Sequence, residues 1–108
     1  SYENLFNHIE ELPTKVQSLL SRECESYQDC EQLIAELNEL GYTMDYDLGA
    51  VGYNLREIRP TPEHYRDTLK AQGYGPTIGN HGLIFVHPPG GYKRSFVSYE
   101  EAVKHYRL

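Results

Sequence analysis

Residues 83–86, Leu-Ile-Phe-Val, are the one place in the chain where four large apolar side chains follow one another with no charge between them. The run is β-branched or aromatic at Ile84, Phe85 and Val86, and turn-forming residues close it on both sides, Gly79-Asn80 before and Pro88-Pro89-Gly90-Gly91 after. A stretch this short, apolar throughout and bounded by turns, predicts a strand with both faces covered. It belongs at the centre of a sheet, and the remaining segments are read as what packs around it.

With 108 residues the chain has material for one core, so a single α+β domain over residues 1–108 is expected. Ten tyrosines and no tryptophan mean that much of the core comes from rings whose hydroxyls need partners, which makes the tyrosines candidate contact residues as well. No stretch approaches the roughly 20 apolar residues that span a bilayer, and the N-terminus lacks a signal-peptide pattern. Ser1-Tyr2 is compatible with removal of an initiator methionine, and a cytoplasmic protein with no membrane association is the expectation. Cys24 and Cys30 are too few for a disulfide framework and read as two small, half-buried thiols.

Periodicity divides the chain into three segments. In residues 1–25, Leu5, Phe6, Ile9 and Leu12 share one helical face before Pro13, with His8 on the polar side; Thr14 with Gln17 predicts a capping box for a second helix striped by Val16, Leu19, Leu20 and Cys24. In residues 26–58, Ser26 and Asp29 open a third helix with Cys30, Leu33, Ile34, Leu37 and Leu40 inward and a stop at Gly41. Tyr42, Met44 and Tyr46 then alternate with Thr43, Asp45 and Asp47; a turn at residues 48–50 returns the chain through Val51, Tyr53 and Leu55, predicting a hairpin. In residues 61–108, Thr61-Pro62 starts a helix that buries Tyr65 and Leu69 and stops at Gly73, residues 75–79 read as an open loop, and residues 92–97 pair with the central run. Ser98 with Glu101 caps a last helix carrying Tyr99, Ala102, Val103 and Tyr106 inward. The predicted fold is an antiparallel sheet of about four strands in two hairpins with four to five helices. Residues 37–42 and 69–74 end alike, leaving open whether one helix-hairpin unit occurs twice.

Charge is distributed unevenly. Residues 1–55 hold two Lys/Arg against eleven acids, a net −9, and residues 56–108 hold eight against five, a net +3. The acidic half, with Glu31, Glu36, Glu39, Asp45 and Asp47 beside Tyr42, Tyr46 and Tyr53, is the candidate surface for a protein partner. The basic half offers Arg56, Arg59, Arg66, Lys70, Tyr92, Lys93 and Arg94, cations mixed with rings that suit phosphates and bases. Within it, residues 92–102 resemble the strand-then-helix ending of the small three-stranded DNA-binding domains of integrase arms, which implies contact with DNA; the chain departs from that pattern in its apolar residues 83–86.

Chemistry is weakly marked. His81 and His87 bracket the central strand, with His64 and His105 in the same half, and six residues of strand would hold the first two roughly 20 Å apart, too far to share a metal. No zinc-ligand spacing, nucleophile elbow or phosphate loop is present, and no cofactor is implied. The expectation is a non-enzymatic protein-interaction module, with nucleic-acid binding through the basic half as the alternative and a His- or metal-dependent enzyme as the second alternative.

Overall fold

The computed structural model describes residues 11–108, which form an α+β fold of four helices and two antiparallel sheets. The helix expected over residues 4–12, with His8, lies outside the described residues except at its end, where Leu12 is buried. Contacts divide the chain into two compact units, residues 1–61 and 62–108, with the break inside the helix-start signal Thr61-Pro62. Among the described residues no helix is long and apolar enough to cross a membrane.

In the first unit, α1 (Thr14–Leu20) and α2 (Tyr27–Glu39) precede a hairpin of β1 (Tyr42–Gly49) and β2 (Gly52–Pro60). Ser26 caps α2 as predicted, its hydroxyl accepting from the Asp29 amide at 3.1 Å. The cap of α1 differs. Pro13, not Thr14, is the N-cap and makes no side-chain cap bond, and Gln17 instead donates its amide to the Leu12 carbonyl at 2.7 Å. Cys24 lies beyond the end of α1 yet still packs on the core of Leu12, Val16, Leu33, Leu37, Met44 and Ile58. That core joins the helices to one face of the hairpin; truncating a fully buried member such as Leu37 to Ala would cost about 2–5 kcal/mol.

The hairpin departs from the predicted alternation at two places. Its two-residue turn is Ala50-Val51, between the paired Gly49 and Gly52, so Leu48 is still strand and Val51 sits fully exposed at the tip instead of in the return strand. Further along, Thr43 pairs with Arg59 but Asp45 pairs with Arg56, so Glu57 and Ile58 together oppose Met44. This is a β-bulge, and Glu57 holds the left-handed conformation, φ 57°, that the extra residue requires. The bulge resets the phase of β2. Tyr53 and Leu55 before it and Ile58 and Pro60 after it all fall on the core side.

In the second unit, α3 (Pro62–Ala71) leads into β3 (Gly75–Ile78), a single turn at Asn80–Gly82, β4 (Ile84–His87), β5 (Arg94–Phe96) and α4 (Tyr99–Tyr106), which Ser98 caps. The strand order β3-β4-β5 puts Ile84, Phe85 and Val86 of the predicted run 83–86 at the centre of a sheet, with Leu83 before the strand and His87 at its end. The sheet has a third strand where an open loop was expected, and the hairpins stand in two separate sheets of two and three strands rather than one sheet of four. Pro76 concealed β3, because proline is tolerated only where a strand forms an edge, and β3 is an edge. α3 is therefore followed by three strands, unlike α2.

The central strand is covered on one face only. Ile84 and Val86 are buried together with Tyr65, Leu69, Ala102 and Val103, whereas Phe85 is half-buried and His87 exposed. Phe96, opposite Ile84, touches His105 and Tyr106 of α4, which identifies the face of Ile84 and Val86 as the helix side. Gly79 fits against the other face, where a Cβ would overlap the Phe85 ring.

Both backbone features are open to test by urea denaturation. Glu57→Val is expected to be less stable than Glu57→Gly by roughly 1–2 kcal/mol, since only the latter relieves a left-handed backbone; equal stabilities would place a regular strand at Glu57. Gly79→Ala is expected to lose about 1–3 kcal/mol by overpacking Phe85, and an unchanged midpoint would show that the ring does not lie over Gly79.

Candidate functional site

The two faces of the β1–β2 hairpin carry different chemistry. On the outer face, Asp45 accepts from Arg59 at 3.0 Å and Asp47 pairs with Arg56 at 3.1 Å. The bulge makes this possible by placing Arg56 and Arg59, three residues apart, on the same side. Arg59 holds the Asp45 carboxyl below the usual aspartate range. These exposed pairs are worth at most about 1 kcal/mol each, so their effect is chiefly to neutralise the face.

On the inner face, the end of the hairpin reaches the start of α2. Tyr46 stands between Tyr27, the first residue of α2, and Tyr53 of β2, with ring centroids 6.2 and 6.0 Å away. Its hydroxyl donates to Glu31 Oε1 at 2.7 Å, and this hydrogen bond to the carboxylate, helped by desolvation, raises the phenol well above its ordinary value. Tyr27 and Glu31 are four residues apart on α2 and so share a helical face, holding the ring from two points. Beyond this ladder the hairpin end is bare: Leu48, opposite Tyr53, is 72% exposed and Val51 is 99% exposed.

The acids predicted to form one partner surface are distributed over several places. Glu36 forms a bidentate ion pair with Arg22, which lowers its pKa, and also accepts from Gln32. Glu36 and Glu39 line a 330 Å³ groove with Lys15 and Leu19 of α1, while Asp45 and Asp47 face away from α2 on the outer side of the hairpin. Tyr42 is half-buried against the core. Of the predicted set, the structure brings Tyr46 and Tyr53 together, and it adds Tyr27, Leu48 and Val51. The i, i+4 spacing of Tyr27 and Glu31 was a visible signal for the first of these; the tip residues were misplaced with the turn.

The basic set is divided as well. Arg56 and Arg59 belong to the first unit and are paired there. In the second unit Arg66 pairs with Asp67 at 3.3 Å, Lys70 is exposed at the end of α3, and Tyr92 is 93% exposed. Lys93 and Arg94 take opposite sides of the sheet: the Lys93 ammonium lies 5.0 Å from the Phe85 centroid, whereas the Arg94 guanidinium meets His105 Nε2 at 3.1 Å. His81, in the left-handed region with φ 62°, lies in the turn before β4, and His87 is the last residue of β4. Among the described residues no group of three His, Cys, Asp or Glu side chains is placed to hold a metal ion.

Cys24 and Cys30 are both free. Burial, reinforced by the neighbouring Cys24 thiol, pushes the Cys30 thiol up to about 11, while Cys24 remains half-exposed beside a 220 Å³ groove lined by Arg22, Asp29 and Gln32.

Compared with protein-family models, curated proteins and solved structures, the chain matches none.

The environments of the two thiols differ enough to predict their order of reaction. Iodoacetamide at neutral pH is expected to alkylate Cys24 while Cys30 stays unmodified until the protein is unfolded, read by peptide mass spectrometry. Equal rates in the native protein would contradict the burial of Cys30.

Proposed function

We propose that the first unit is a docking module for a protein partner, with the Tyr27–Tyr46–Tyr53 ladder and the hairpin end as its contact surface. The observation that supports this reading is the exposure of Leu48 and Val51 directly beyond a set of tyrosines already fixed by the Glu31 hydrogen bond. Exposed aliphatic side chains beside pre-ordered rings are what interface centres are made of, because a fixed tyrosine loses little entropy on contact. Acidity enters as a rim. The unit has four Lys/Arg against twelve acids, a net −8, so a partner with an apolar cleft and basic flanks suits it. Asp45 and Asp47, already paired within the hairpin, contribute less than the tyrosines.

Two double variants separate the aromatic surface from the acidic one. Leu48→Asp with Val51→Asp changes only exposed positions, and such substitutions usually alter stability by about 0.5 kcal/mol or less. This variant is expected to fold normally by circular dichroism and to lose the partner recovered by affinity capture with the unaltered chain. Asp45→Lys with Asp47→Lys is expected to retain that partner with less than about a tenfold loss. Capture that survives the first change and fails with the second would reverse the assignment.

A further inference from the structure

All four acids of the second unit, Glu63, Asp67, Glu100 and Glu101, lie on its two helices. Residues 68–99 contain no Asp or Glu, and they include the whole sheet together with Lys70, His81, His87, Lys93 and Arg94. Because α3 and α4 pack on the side of Ile84, Val86 and Phe96, the sheet stands between the acids and its other face.

Strand register defines that other face. Thr77, Phe85 and Ser95 are direct neighbours across the three strands, and His87 follows Phe85 on the same side. Thr77, His87, Lys93 and Ser95 are exposed around the half-buried ring, which Gly79 contacts on one side. Lys93 lies over Phe85, and Tyr92, next to it, is almost wholly exposed. The face therefore combines a flat ring at its centre, a cation above the ring, a second free ring at its border, hydroxyls on both outer strands and no carboxylate.

We propose that the helix-free face of the β3–β4–β5 sheet binds a single-stranded polynucleotide, with one base stacked on Phe85, the Lys93 ammonium displaced from the ring onto a neighbouring phosphate, and Tyr92 beside an adjacent base. Aromatic stacking combined with phosphate neutralisation is how sheet surfaces hold unpaired strands, since every base has a π-face. A duplex hides its base faces and requires either a row of phosphate-reaching cations or an element that enters a groove. This face has one lysine and strands of three or four residues, which suits a few unpaired nucleotides. The cation of this face is Lys93, and because the unit's four acids are all on the helices no carboxylate of the sheet competes with a phosphate for it.

The test is titration of the full isotope-labelled chain with oligothymidylate, oligouridylate and a duplex, each of about eight nucleotides per strand, at about 50 and about 200 mM salt. Amide shifts are expected at Thr77, Phe85, His87, Lys93 and Ser95 with the single strands, weakening as salt rises. Lys93→Glu is expected to weaken binding at least tenfold, Phe85→Leu severalfold with the native spectrum retained, and Arg66→Glu on α3 not at all. Absence of shifts with both single strands, tighter binding of the duplex, or wild-type affinity in Lys93→Glu would overturn the proposal.

Discussion

The first unit depends on a single extra residue in β2. Without the bulge at Glu57, strict alternation would turn Ile58 and Pro60 to the solvent side and set the charged Glu57 beside Met44 on the core face. With the bulge, Ile58 completes the core of Leu33, Leu37 and Met44, and Arg56 and Arg59 come to the outer face to meet Asp47 and Asp45. One left-handed residue costs roughly 1–2 kcal/mol, and the burial of Ile58, worth about 1.5–3 kcal/mol for a side chain of that size, offsets it. The outer face becomes a set of internal ion pairs as a consequence. What stays open for contact is the inner face where it runs past the start of α2, which is where Tyr46, Leu48 and Tyr53 lie.

Charge follows the elements more closely than it follows chain position. In the first unit several acids already have partners: Glu36 has Arg22, Asp45 has Arg59, Asp47 has Arg56, and Glu31 accepts from Tyr46. In the second unit the acids are confined to the helices and the sheet has none. The surfaces we propose for contact are therefore an aromatic and aliphatic hairpin end with an acidic rim in one unit, and a small aromatic sheet face that carries Lys93 in the other. Their chemistries differ enough that each is assigned its own class of ligand.

Elements with local chemical signatures were legible from the sequence. The Ser26 and Ser98 caps, the stop at Gly41 with φ 89°, the Thr61-Pro62 start and the central place of Ile84, Phe85 and Val86 in their sheet all stand as read. Features fixed by neighbours distant in sequence were not. Gly-Pro-Thr-Ile reads as a loop until β4 lies beside it, and Glu57 has no composition that announces a left-handed residue. Thr14 followed by Gln17 has capping-box spacing, yet Pro13 takes the cap position because its extended ψ of 146° already ends the preceding chain. The site was legible to the same degree: alternation placed Tyr46 and Tyr53 together, but dividing the charges between residues 55 and 56 separated Arg56 and Arg59 from the aspartates they serve.

The register of the hairpin is the point on which both faces of the first unit turn, and cross-strand nuclear Overhauser effects with the backbone angles of residue 57 measure it directly. Asp45 opposite Arg56, Thr43 opposite Arg59 and a positive φ at Glu57 are the expected results. An unbroken ladder with Thr43 opposite Ile58 would contradict them, since it would turn Ile58 to the outer face and Arg59 to the inner one, breaking the Asp45–Arg59 pair.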